Sequence, residues 1–135
     1  MKVLVIDAQG GGIGRQVVAA VKQNVPDAVV TAVGANTDAT AAMRKAGADR
    51  SATGENAVVV ACRDADVIIG PLGIVIADAL LGEITPTMAV AVGQSRARRI
   101  LIPVNHCDNV VVGVPELGLG GLIQGAIAQL KNLCD

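Results

Sequence analysis

The stretch Lys2-Val3-Leu4-Val5-Ile6-Asp7-Ala8-Gln9-Gly10-Gly11-Gly12-Ile13-Gly14 decides the fold. Its opening, KVLVID, is a short continuous apolar run closed by an acid, the pattern of a strand buried on both faces. A glycine loop follows. Then Ile13, Val17, Val21 and Val25 recur at helical spacing, with Arg15, Gln16, Lys22 and Gln23 largely elsewhere, until Pro26 stops the helix. Ala28 to Val33 reads as a second buried strand. Strand, helix and strand at this length make a βαβ unit, so the two strands run parallel with a right-handed crossover.

Outward from that unit the alternation continues. Asn36, Thr37 and Asp38 suit the start of a second helix, which runs through Met43 and ends at Gly47. Ala48 to Ala52 reads as a short strand, and Thr53 caps a third helix beginning near Glu55 and Asn56. Asp66 to Gly70 is a further buried strand. Pro71 to Ala91 divides into a helix near Ile74 to Leu81 and another starting at Thr85-Pro86. Arg99 to Pro103 and Val110 to Val114 both read as strands. The link between them is too short for a parallel crossover and predicts an antiparallel hairpin. A final helix, about Leu117 to Leu133, carries Leu119, Leu122, Ile123, Ala126, Ile127, Leu130 and Leu133 on one stripe. The expectation is one α/β domain over residues 1–135. It is a Rossmann-like three-layer fold, with a mostly parallel sheet and a C-terminal antiparallel hairpin strand.

Composition narrows what such a domain can do. Of 135 residues, 52% are apolar and 17% charged, with a net charge of -1, which excludes a disordered chain. There is no Phe, Trp or Tyr. A tyrosine general acid is therefore impossible, and no aromatic platform exists for stacking bases. The near-zero charge lacks the footprint of a nucleic-acid binder. Arg96, Arg98 and Arg99, the one basic cluster, are expected to complement a helix dipole. The apolar, uncharged middle stretch Val67 to Ala77 is far short of a membrane span, and no signal peptide is expected after Lys2. Three cysteines without C-x-x-C spacing predict reduced thiols in a cytoplasm.

In a parallel sheet the loops after the strands gather on one edge, where open α/β folds bind ligands. The candidate binding residues fall in those loops. They are Asp7, Gln9, Gly10, Gly11, Gly12, Ile13 and Gly14; then Asn36 and Thr37; then Thr53, Glu55 and Asn56; and finally Gly70, Pro71, Gly73 and Asn105. Glycines let a backbone approach a phosphate closely, and helix N-terminal amides receive the anion. The dinucleotide fingerprint is only partly met: read from Gly10, Arg15 stands at its third glycine. A P-loop is excluded, because Arg15-Gln16 follows Gly14. After the second strand, Gly34-Ala35-Asn36 offers no acid for a ribose hydroxyl, so Asn36 is either a helix cap or a sugar contact. Asp7 either orders the glycine loop by accepting its N–H groups or touches a ribose. Glu55 is favoured by the helix dipole whatever its role.

Catalytic candidates are few. Cys107 sits beside His106, the single histidine, on the predicted hairpin loop; it is either a reactive thiol or a small, partly buried one. No metal site is expected, since one imidazole cannot build it. Cys62 lies among Val58, Val59 and Val60 and is expected in the core. Glu83 has no position the sequence defines.

The segments VIDAQGGGIG, ATGENA, VIIGPLGI, LGEITP and ILIPVN together resemble a family of small uncharacterised bacterial proteins, classed as a domain of unknown function. The resemblance covers nearly the whole chain and implies a Rossmann-like fold, with no activity or cofactor to carry across. Cys107 matches the family pattern, whereas Arg is expected at His106. The expected function is binding of a nucleotide or dinucleotide-like phosphorylated small molecule (NADP, NAD or a mononucleotide) at the carboxyl edge, with the reaction undefined. A thiol enzyme or metal-handling protein using Cys107, and a non-catalytic assembly subunit, are the alternatives. A homo-oligomer, a dimer first, is expected from the apolar surface left over between Ile74 and Val92 or on the last helix.

Overall fold

In a computed structural model, which describes residues 1–104, 108–114 and 117–134, the chain forms β1 (Lys2–Asp7), α1 (Gly12–Asn24), β2 (Val29–Gly34), α2 (Thr37–Lys45), β3 (Arg50–Thr53) and α3 (Glu55–Cys62). These are followed by β4 (Val67–Pro71), a 3-10 turn at Leu72–Val75, α4 (Pro86–Gln94), β5 (Arg98–Ile102) and α5 (Leu119–Cys134). The five strands make one sheet in the order β3-β2-β1-β4-β5, and every pairing is parallel. Strand order reverses between β1 and β4, where open α/β sheets bind ligands.

The buried strands have a direct consequence. Successive side chains of a strand point to opposite faces. Val3 and Val5 of β1 therefore enter one core, with Val17, Val18 and Val21 of α1 and Ile123, Ile127 and Leu130 of α5. Leu4 and Ile6 enter the other, with Val58 of α3 and Met88 and Val92 of α4. That is a three-layer arrangement with α1, α2 and α5 over one face and α3 and α4 over the other. Lacking aromatics, both cores are filled by small aliphatics packed at short range, and Val5, Ile6, Val17 and Leu130 are fully buried.

Helix starts follow capping chemistry. Asn36 Oδ1 accepts the Ala39 N–H at 2.9 Å to cap α2, and Thr85 Oγ1 accepts the Met88 N–H at 3.1 Å to cap α4, with Pro86 in its first turn. Arg99 donates to the carbonyl of Ser95, the residue that closes α4. Of the three arginines expected at a helix end, this one meets the last carbonyls while lying in β5, together with Arg98.

Two expectations are corrected. The antiparallel hairpin is not borne out: among the described residues β5 pairs with β4 alone, and 110–114 contributes no strand. Pro103 brings no N–H to a ladder, and the Val104 N–H turns straight back to the Ile102 carbonyl at 2.8 Å, so the chain leaves the sheet there. Val110 and Val112 consequently stand exposed. The helix expected from Ile74 to Leu81 is instead the short 3-10 turn followed by a looped segment. Asp78, Leu80 and Leu81 have left-handed φ of 65°, 57° and 58°, which no helix can include. Elsewhere the boundaries move by a residue or two.

Candidate functional site

Asp7 ends β1 at the carboxyl edge, and its side chain is buried beneath the glycine loop. Its Oδ1 accepts the Ala8 N–H at 2.8 Å and its Oδ2 accepts the Gly14 N–H at 2.6 Å; Ile13 N–H also donates to it. Helix α1 has no side-chain cap and no acid in its first turn. Asp7 supplies that negative charge from the strand, meeting the orphan N–H groups and the positive end of the dipole. Burial pushes its carboxyl above the ordinary 3.8, the hydrogen bonds from Gly14, Ala8 and Ile13 pull it down, and Glu83 adds to the upward push. Of the two roles open to Asp7 from the sequence, the ordering role is the one the geometry displays.

The loop it orders is a tight turn. The Gly11 N–H closes on the Ala8 carbonyl at 3.0 Å, with Gln9 at a φ of 52° and Gly11 at 72°. Two carboxyl-edge groups grip the Gln9 peptide. Its N–H donates to Glu83 Oε2 at 2.8 Å, and its carbonyl accepts from Asn36 Nδ2 at 2.9 Å. Asn36 Nδ2 also donates to Glu83 Oε1 at 2.5 Å. One amide therefore ties the β1 loop, the β2 loop and the segment before α4 together while its oxygen caps α2.

The glycines divide into two kinds. A Cβ on Gly14 would lie 2.6 Å from Met43 Sδ and 2.8 Å from Asp7 Cβ; one on Gly11 would meet Ala39 at 2.8 Å. One on Gly34 would meet Thr40 at 2.5 Å, and one on Gly70 the Ile6 carbonyl at 2.5 Å. Packing requires all four. Gly10 and Gly12 are different: a Cβ there would meet nothing within 4 Å, and neither has a left-handed φ. Their N–H groups have no hydrogen-bond partner among the described residues.

Both line a cleft of about 230 Å³ with Asp7, Gln9, Ile13, Pro71, Leu80 and Leu119. It lies between the loops of β1 and β4, at the point where strand order reverses. Clefts for drug-sized ligands span roughly 300–1,000 Å³. At about 230 Å³ and open on one side, this one is smaller than that range. Ala8, Gly11 and Gln16 complete its wall.

The other sequence candidates among the described residues lie apart from the cleft. Thr37 is exposed in the first turn of α2. Thr53 Oγ1 pairs with Thr40 Oγ1 at 2.7 Å, and Glu55 Oε1 accepts from Thr85 Oγ1 at 2.6 Å, so both tie neighbouring elements together. Asn56 is exposed on α3, and Gly73 packs against Ala79 and Leu80. Asn105, His106 and Cys107 lie outside the described residues. Cys62 is buried, and burial pushes its thiol up to about 11, as expected of a core cysteine. No cluster of metal-binding side chains occurs among the described residues.

Glu83 is the residue that sequence reasoning missed. A signal existed: it stands two residues before the Thr85-Pro86 helix start, on the edge where the strand loops gather.

No helix among the described residues is long and apolar enough to cross a membrane. No curated protein matches the chain. The model of one family, described as "Domain of unknown function (DUF3842)", matches residues 2–135, and the chain belongs to that family.

Proposed function

We propose that this domain binds a nucleotide or a nucleotide-like phosphorylated small molecule at the carboxyl edge of its sheet. One observation carries the reading: Gly10 and Gly12 line the cleft with unpaired N–H groups and open space in front of them, and the packing of the fold asks for glycine at neither. Close approach of a ligand is the remaining reason to leave out a Cβ there. The Gly10 and Gly12 amides receive the phosphate, while those of Ala8, Ile13 and Gly14 stay with Asp7. The size of the cleft favours a mononucleotide or sugar phosphate over an enclosed dinucleotide such as NADP or NAD. The protein works in the cytoplasm as a homodimer, with Leu81 (98% exposed) and Val90 (52%) among the apolar residues a second copy would cover.

With no Trp, Tyr or Phe, the protein itself barely absorbs at 280 nm. A 260 nm band that survives gel filtration reports a bound nucleotide, and native mass spectrometry identifies it. A flat spectrum, with no thermal shift across nucleotides and sugar phosphates, contradicts the reading.

A second reading has its own support. Asp7 already holds the Gly14 amide of α1 and the Ala8 amide before it, as it would if the loop were only a turn in a non-catalytic assembly subunit. That reading predicts a tight oligomer and no ligand at the edge.

A further inference from the structure

Dinucleotide-binding α/β folds hold a ribose with a carboxylate at the carboxyl end of the second strand. Here β2 ends in Gly34-Ala35-Asn36, with no acid. The fold nonetheless brings a carboxylate to that place from far along the chain. Glu83 Oε1 lies on the Asn36 amide and Oε2 on the Gln9 N–H, between the β1 and β2 loops.

A carboxylate has about four acceptor sites, two on each oxygen. The two hydrogen bonds from Asn36 and Gln9 use one on each oxygen, which leaves one more on each for a pair of adjacent hydroxyls. Glu83 is half-buried, and its bond to Gln9 lies exposed at the rim of the cleft that Gln9 lines. Its orientation is set before any ligand arrives, because Asn36 is itself fixed as the α2 cap through Ala39.

We propose that Glu83 is the acceptor for the vicinal hydroxyls of a ribose, which makes the ligand class ribonucleotides and ribose phosphates. This rests on the phosphate reading above: phosphate at Gly10 and Gly12, sugar directed across Gln9 toward Glu83. Asn36 is a positioning residue, acting through Glu83.

Ligand-observed NMR titrations of the full chain with ribose 5-phosphate and 2-deoxyribose 5-phosphate test it. Ribose 5-phosphate is expected to bind about 10- to 100-fold more tightly, the span for losing one hydrogen bond to a charged acceptor. Glu83→Gln is expected to erase that preference, since Gln has one oxygen where Glu83 uses two, and to weaken binding of the deoxy sugar by less than it weakens that of ribose 5-phosphate. Glu83→Asp, which withdraws the charge by one methylene, serves if Glu83→Gln does not fold. Equal binding of the two sugars, or a preference that survives in the variant, overturns the assignment and leaves the phosphate reading standing. Unchanged ribose 5-phosphate binding in Gly10→Ala and Gly12→Ala overturns the phosphate reading, and this inference with it.

Discussion

Glu83 Oε2 accepts the backbone N–H of Gln9 at 2.8 Å, across 74 residues of chain. Gln9 is held there in a left-handed conformation, at a φ of 52°, that costs a non-glycine residue of the order of 1 kcal/mol. Removing the carboxylate should free the loop. Glu83→Ala is expected to lower unfolding stability by about 1–3 kcal/mol, the range for hydrogen bonds to a charged group. Urea denaturation measures it. A loss below a few tenths of a kcal/mol would mean that the contact leaves the turn's stability unchanged.

The two kinds of glycine should separate cleanly. Gly14→Ala and Gly34→Ala force a Cβ into atoms less than 3 Å away and should cost about 1–3 kcal/mol, as overpacking does. Gly12→Ala lies in the first turn of α1 with open space before it and should be neutral or slightly stabilising, since alanine is the better helix former by up to about 1 kcal/mol. Paired thermal melts and ligand titrations check both halves. Gly12→Ala should keep the fold and lose the ligand.

Asn36 combines a cap with a clamp, and one substitution divides them. Aspartate caps a helix as well as asparagine does. Asn36→Asp keeps an oxygen for Ala39 but sets a second acceptor against Glu83 Oε1 and the Gln9 carbonyl. It should therefore destabilise despite the intact cap, and more at neutral than at acid pH. The additional substitution Glu83→Gln should recover part of the loss, which a double-mutant cycle measures.

Asp7 gives a pH signature. Its folded-state carboxyl titrates above 3.8, mainly because it is buried. Its contribution to stability is thus fully present below 3.8 and is lost as pH rises through the raised folded value. Asp7→Asn removes this titration, so the stability gap between the parent and the variant should narrow as pH rises from about 3 to 7. Asp49 works in the opposite sense. The Val30 N–H and the Lys22 ammonium hold it below 3.8, so its contribution is present above 3.8 and lost on acidification through the lower folded value. The Asp7 effect is therefore read as a difference between two proteins and not from the parent curve alone. A gap that widens with pH would contradict the account of Asp7.

Cys62, with its thiol pushed up to about 11 in the core, should resist alkylation at pH 8 until the protein unfolds. The exposed Cys134 should react promptly in the native protein. Peptide mass mapping after a short iodoacetamide pulse distinguishes them.

The parallel sheet was legible because β1 and β4 are buried on both faces and read as unbroken aliphatic runs, and because Pro26 and Thr85-Pro86 punctuate the helices. Val110 to Val114 misled for a physical reason. Its β-branched residues have strand propensity, but Pro103 and the turn at Val104 take the chain off the sheet before a partner can be used. The segment around Leu80 carries helix formers, yet its backbone closes into a loop, with the Asp78 N–H bonded to the Ile84 carbonyl at 2.7 Å. No local pattern reveals that. At the site, the glycines were visible in the sequence, but that Gly11 and Gly14 pack while Gly10 and Gly12 lie open depends on Ala39 and Met43, remote residues brought near only by folding. For Glu83 the place before the Thr85-Pro86 helix start was visible, but its partners Gln9 and Asn36 are far away in the chain.

The most direct measurement is an amide NMR titration of uniformly ¹⁵N-labelled protein with ribose 5-phosphate. Saturable shifts of the Gly10 and Gly12 N–H resonances, with Gly47 on the far side of α2 unmoved, are the predicted result. Shifts confined to other residues, or none at millimolar ligand, would contradict a phosphate seat in this loop.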